Sequence, residues 1–384
     1  MRVPLAWQNL THNKRRLGLA VAGVGFAVLL MFMQLGFRNG MLDSNVAFIE
    51  ALNADLIVTS AARYTLSVSE PFVRQRLVQA TTCPGVSSVY PIYLESRQSS
   101  LVNSSDGIAR PIRVIAFNLD DPALLLPDVE SHRSALRLPQ TALVDAKNKP
   151  DFGDLSIGDE VDVSGRPLKL VGSFRLGTDF ANDGNLITSA ETLASLFPRR
   201  YGAGNPLDRV DVGLVRIKPD ARAKDVKAEL IRQLPGDVHV FLKREFVNQE
   251  LTFWKSSTPV GFVFGLGLVL GFAVGVVICY QILYTDIADH LAEFATLKAM
   301  GYPLTYFVRV VLEQAVILAV MGFIPGLLIS ALAYSGLAMA TGLLMELTTL
   351  RVLLILVLTI TMCVVSGGLA IRRLLGTDPA ELFA

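Results

Sequence analysis

Four charge-free stretches, Leu17–Phe37, Ser256–Thr285, Gln314–Met345 and Val352–Ile371, constrain this chain more than any other feature. Each is bounded by ionisable residues: Arg16 and Arg38, Lys255 and Asp286, Glu313 and Glu346, Arg351 and Arg372. About 20 apolar residues in an α-helix cross a hydrocarbon core of ~30 Å, and a charge near its centre costs at least ~2.5 kcal/mol. All four stretches therefore read as spans. The segment between the first two carries 26 of the 35 Lys/Arg and 27 of the 34 Asp/Glu, so it lies outside lipid. The expected fold class is a membrane protein: four transmembrane α-helices with a large α+β extracytoplasmic domain between helices 1 and 2.

The expected division is a cytoplasmic segment 1–16, a first span 17–37, a periplasmic domain 38–255, a second span 256–285 and an inner segment 286–313. A third span 314–345, an outer turn 346–351, a fourth span 352–371 and a cytoplasmic tail 372–384 complete it. The near-zero charge balance of 38–255 offers no basic stripe, which excludes nucleic acid as a partner. Orientation follows from the short loops. Arg2, Lys14, Arg15, Arg16, Lys298, Arg309, Arg372 and Arg373 fall on one side and Arg351 on the other, so both termini are expected in the cytoplasm of a bacterial inner membrane. The first stretch is longer than a typical signal-peptide core, and no Ala-x-Ala site follows it, so it reads as a retained anchor. Cys279 and Cys363 fall in spans, which leaves Cys83 alone in the domain without a disulfide partner.

Met41, Leu42, Val46, Ile49 and Leu52 recur at near-helical spacing, so the first span is expected to continue outward as a stalk over 41–53. Lys243–Lys255 reads as a second stalk leading straight into the second span. Strand-like runs are expected at 55–60, 86–94, 112–117, 141–144, 160–163, 168–174, 186–188, 210–217 and 238–242, and helices at 70–80 and 221–234. The Gly- and Asp-rich segment 145–184 is a candidate second lobe. Pro325 sits inside the long third span, where a kink or break is expected.

No catalytic signature stands, so the chain is not read as an enzyme. Gly172 to Thr178 has the first glycine spacing of a P-loop but no lysine, and neither H-E-x-x-H nor C-x-x-C occurs. Asp286, Asp289, His290 and Glu293 share helical spacings that suit a metal site, yet the reading adopted is a solvated face with no metal. Opposite it, Ile287, Leu291, Phe294, Leu297 and Met300 form an apolar stripe, so 286–300 is expected as an amphipathic surface helix able to bind another protein.

The run from Asp289 and His290 through Glu293, Phe294, Leu297, Lys298 and Ala299 to Gly301 resembles the E-R-x-x-E-[IF]-[GA]-x-L-[RK]-A-x-G pattern of FtsX/MacB-type ABC-transporter permeases. The opening Trp7, Asn9 and Leu10 with Lys14, Arg15 and Arg16 is similar to their R-N-L-x-x-N-K-x-R segment. The closing Pro379, Ala380, Glu381 and Leu382 is similar to their P-A-E-[AV]-L. The resemblance is nearest to DevC-like permease subunits, whose ATPase is a separate chain. His290 stands where the family has arginine, so an ion pair there would depend on histidine protonation.

The resemblance implies that Asp286, Asp289, His290, Glu293, Phe294, Leu297, Lys298, Ala299 and Gly301 form the ATPase-coupling helix. ATP and magnesium would then bind in the partner ATPase, with no cofactor in this chain. It also implies a homodimer, a periplasmic membrane-fusion adaptor, an outer-membrane channel reached through the adaptor, and mechanotransmission within a tripartite exporter of a glycolipid or other amphiphile. The alternative is an FtsX-like regulator of a periplasmic cell-wall hydrolase. Gly261, Gly265, Gly267, Gly271 and Gly275 on the second span are candidates for packing against the second protomer or within the bundle.

Overall fold

In a computed structural model of the chain, each of the four apolar stretches is largely taken up by one long helix that outruns it at one end or both. The structure describes residues 5–103, 107–257, 259–290, 296 and 300–375. After a short helix α1 (Leu5–His12), the spans are α2 (Lys14–Ala51), α9 (Pro259–Asp289), α10 (Leu304–Thr341) and α11 (Thr349–Leu375). Lipid offers no partner to a backbone amide, so each crossing must satisfy its own hydrogen bonds as a helix. The chain forms two compact units: Met1–Asn39, Pro259–Gly336 and Met345–Ala384 make one, Gly40–Thr258 and Leu337–Leu344 the other.

Within the first unit, small residues let the spans approach closely. A Cβ at Gly322 would lie 2.5 Å from the Val24 side chain, and one at Gly326 would lie 2.7 Å from that of Val28. Pro325 between them does not break α10, which runs on through Thr341. The expected break is absent because neighbouring helices hold a proline-bearing span in place. Three of the glycines considered for a second protomer are taken up inside the chain: Gly267 lies on Gln34, Gly271 on Leu30 and Met31, and Gly275 under Met362 and Ala27. Gly265 has open space beside it, and Gly261 is half-buried. Ser366 Oγ donates to Val276 O at 2.8 Å, and the Cys279 and Cys363 sulfurs lie 3.4 Å apart, so α9 and α11 are in direct contact.

The second unit holds thirteen strands among the described residues: β1 (Leu56–Ser60), β2 (Phe72–Val73), β3 (Val86–Glu95), β4 (Ser100–Val102), β5 (Ala109–Pro111), β6 (Arg113–Phe117), β7 (Thr141–Asp145), β8 (Glu160–Val163), β9 (Pro167–Phe174), β10 (Asn185–Ser189), β11 (Arg209–Val210), β12 (Val212–Ile217) and β13 (Val238–Leu242). Eleven form one mixed sheet in the order β13-β1-β12-β3-β6-β10-β7-β9-β8-β4-β5. The interior strands β1, β6, β7 and β10 are buried along their whole length, because both faces of the sheet are covered there. One face is covered by α3 (Gln75–Thr81), α6 (Ala190–Leu196) and α7 (Ala223–Gln233), through Leu77, Leu193, Val226 and Leu230. The other is covered by α4 (Pro127–Ser131), α5 (Arg133–Leu136) and the stalks, through Val129, Leu136, Phe48, Ile49, Leu52 and Phe246.

Several expectations need correction. Segment 145–184 is not a separate lobe, because β8 and β9 continue the same sheet. The helix expected over 70–80 begins only at Gln75, since Phe72 and Val73 pair with Val210 and Arg209 as a two-stranded ribbon. The second stalk, α8 (Lys243–Ser256), is a helix separate from that of the second span. Its last carbonyls are capped by Ser257, whose N–H donates to Phe253 O at 2.8 Å, and a new helix starts at Pro259. Proline is well suited to the first helical turn. The expected outer turn 346–351 lies at 342–348, between α10 and α11.

Candidate coupling site

Asp286, Asp289 and His290 lie at the end of α9, not on a separate surface helix. Asp286 is 6% exposed, on the same side of α9 as the fully buried Cys279 and Leu283. Its Oδ2 accepts a hydrogen bond from Gln314 Nε2 of α10 at 3.1 Å. The expected solvated face is thus half turned inward, because α9 extends four residues past Thr285 and carries Asp286 into the bundle. His290 folds back on the same residue: its backbone N–H donates to Asp286 O at 3.3 Å and its ring Nδ1 to the same oxygen at 2.9 Å. Asp289 remains exposed and forms an ion pair with Arg16 at the start of α2. A cation there suits a helix C-terminus, where unpaired carbonyls leave partial negative charge. His12, Asn13, Arg16, Asp286, Asp289 and His290 line a cavity of about 290 Å³.

Glu293, Phe294, Leu297, Lys298 and Ala299 lie outside the described residues, as do Pro379, Ala380, Glu381 and Leu382 of the closing motif. At the far end of the segment, Met300 N–H donates to Thr296 O at 3.1 Å, and Gly301 follows at φ +93°. That is the left-handed conformation in which helices commonly terminate at glycine.

In the other unit, the stalks and the end of α10 are tied to the sheet by polar contacts that sequence reasoning did not find. Lys243 Nζ, at the head of α8, donates to the carbonyls of Glu50 (2.8 Å) and Leu52 (2.6 Å) at the end of α2. Glu250, in the middle of α8, is 1% exposed and accepts from Thr65 Oγ1 (2.5 Å), Leu66 N–H (2.9 Å) and Trp254 Nε1–H (2.9 Å). Burial pushes its carboxyl above the usual range, and these donors pull against that shift. The last turn of α10 belongs to this unit as well. Thr178 Oγ1 donates to Thr341 O (3.1 Å), Thr178 N–H to Gly342 O (3.3 Å), and Leu344 N–H to Ser44 Oγ (2.9 Å). Gly342 adopts φ +70°, and a Cβ on it would lie 2.6 Å from Lys147 O. The sequence signal available was one of several glycines in a long apolar run, which by itself does not tell a turn from packing.

The family model described as the MacB-like periplasmic core domain matches residues 17–233, more than half of the chain. This chain belongs to the FtsX/MacB-type ABC-transporter permeases. The model of the FtsX-like permease C-terminal region matches residues 263–379, which takes in α9 to α11 and the segment between α9 and α10. An ABC transporter permease of Mycobacterium bovis is 23% identical over 329 residues, 85% of this chain and 84% of the relative. An ABC transporter permease of Mycobacterium tuberculosis is 22% identical over 379 residues, 98% of each chain. Among solved structures, the extracellular domain of the noncanonic ABC-type transporter YknZ from Gram-positive bacteria is similar at TM-score 0.34 and 15% identity, covering 49% of this chain and 98% of that one. As a permease of this family, the chain works with a partner ATPase.

Proposed function

We propose that this FtsX/MacB-type permease converts ATP-driven motion of a separate ATPase into motion of its domain 38–255. The observation that carries this reading is α2, one uninterrupted helix from Lys14 to Ala51. At 1.5 Å per residue it is about 57 Å long. It begins in a charged segment, crosses as the first span, and ends with Phe48, Ile49 and Ala51 in the domain core. Such a rod carries displacement without needing a pore or a charged path through the spans. Asp286 to Gly301 is the docking segment for the ATPase, which holds ATP and magnesium. Dimerisation of two ATPase subunits brings together two copies of this chain about a two-fold axis.

The positive-inside distribution of Lys and Arg supports the reading with both termini in the cytoplasm and the domain in the periplasm of an inner membrane. There the domain meets a membrane-fusion adaptor and, through it, an outer-membrane channel. A glycolipid or another amphiphile as cargo rests on the resemblance to DevC-like subunits.

Spin labels on the periplasmic domains of the two protomers test the reading. Their separation is expected to differ between nucleotide-free and ATP-bound complexes. A Gly-Ser-rich linker inserted after Gly40 is expected to abolish that difference while hydrolysis continues, because such linkers behave as random coil. An unchanged separation in the parent protein, or an undiminished response in the linker variant, would remove the mechanical model.

A further inference from the structure

Four aromatic rings form a chain around the span-facing end of α8. Tyr64 lies on Phe253 (centroids 5.6 Å apart), Phe253 edge-on to Trp254 (5.6 Å), and Trp254 edge-on to Phe180 (5.4 Å). Trp254 is 6% exposed, whereas Tyr64 and Phe180 are each 57% exposed. The arrangement is braced from behind. Glu250 accepts from the Trp254 indole and also holds Thr65 and Leu66, so Tyr64 is fixed by its chain neighbours. Phe180 follows Asp179, which is ion-paired with the buried Arg113 at 2.5 Å.

Two connections link this patch to the ends of spans. Trp254 lies five residues before Pro259, where the span α9 begins. Thr178, two residues before Phe180, bonds to Thr341 and Gly342, where the span α10 ends. Along the chain the rings therefore adjoin the start of one span, and through Thr178 they adjoin the last turn of another; the ends of spans are where lipid gives way to water. Trp and Tyr concentrate at that boundary because their apolar rings and polar tips suit the headgroup layer. The chain has two tryptophans. The other, Trp7, is 44% exposed on α1, directly ahead of the span α2.

We infer that Tyr64, Phe180, Phe253 and Trp254 form a lipid-docking platform that seats the base of the domain in the headgroup layer of the leaflet it faces. The domain then cannot lift away from the membrane without exposing these rings, and its motion is confined to sliding or tilting along the surface. This does not depend on what is transported or on coupling to ATP.

The test uses the full chain in lipid nanodiscs. With Trp7→Phe, Trp254 is the sole tryptophan, and lipids brominated near the headgroup are expected to quench it more than lipids brominated near the chain end, with little quenching by aqueous acrylamide. A second reporter, Phe180→Trp combined with Trp7→Phe and Trp254→Phe, reads the exposed side and covers the case in which one variant fails to fold. Strong acrylamide quenching of both reporters without a bromolipid effect would overturn the proposal. Protection from both quenchers only in discs holding two copies would overturn it too, since the rings would then be covered by a second protomer.

Discussion

Asp211 is fully buried and gathers Arg63 (3.1 Å), Arg200, the Tyr201 hydroxyl (3.0 Å) and the Leu94 N–H (2.8 Å). Burial, then the nearby carboxylate, pushes the Tyr201 phenol up to about 12, so it stays a donor at physiological pH. Taking these charges out of water costs several kcal/mol per ion, and removing one partner leaves the others unpaired. Asp211→Ala is therefore expected to destabilise the domain by about 3–5 kcal/mol. Cys83 provides the readout: it is 3% exposed in the sheet's core, and the other two cysteines lie in spans. Its labelling by a thiol reagent under mild denaturant should rise steeply in the variant, and protection equal to the parent's would show the network to be dispensable. The pairing of Arg63 with Asp211 was not legible in sequence, because the two are 148 positions apart.

The helices show where local signals suffice and where they stop. Each stretch marked out by charge boundaries falls largely within one long apolar helix, since a charge in hydrocarbon is too costly to ignore. They did not reveal that α10 ends inside the other unit, held by Thr178 and closed by Gly342. A side chain in the left-handed region costs roughly 1–2 kcal/mol even without a clash. Gly342→Val, which also meets Lys147 O, should release that turn. Amide exchange over 337–344 is expected to speed up while exchange in β1 stays slow. Unchanged exchange in that turn would mean that the hydrogen bonds of Thr178 hold it without help from Gly342.

For the whole molecule, the proposed transfer of motion from the ATPase turns on where the two proteins meet. Placing aspartate at Phe294 or Leu297 should abolish co-purification with the ATPase while leaving membrane insertion intact, because burying an unpaired charge costs several kcal/mol. Normal binding by both variants would move the docking surface elsewhere. The start of α2 would then be the next place to look, since Arg16 pairs with Asp289.

Sequence by itself determined the number and order of the spans, the domain between the first two, most of its strands and the family motifs. These rest on hydrophobic runs, periodicity and local turn chemistry, which a linear reading records. Only the tertiary structure decided that Asp286 faces inward onto Gln314, that Gly267, Gly271 and Gly275 pack within the chain, and that 145–184 joins one sheet. It also decided that Glu250, Asp211 and Thr178 bind distant segments together. Each is a contact between residues far apart along the chain. A polar or small residue looks the same in sequence whether it meets solvent, a neighbouring helix or a buried partner, and only the packing distinguishes them.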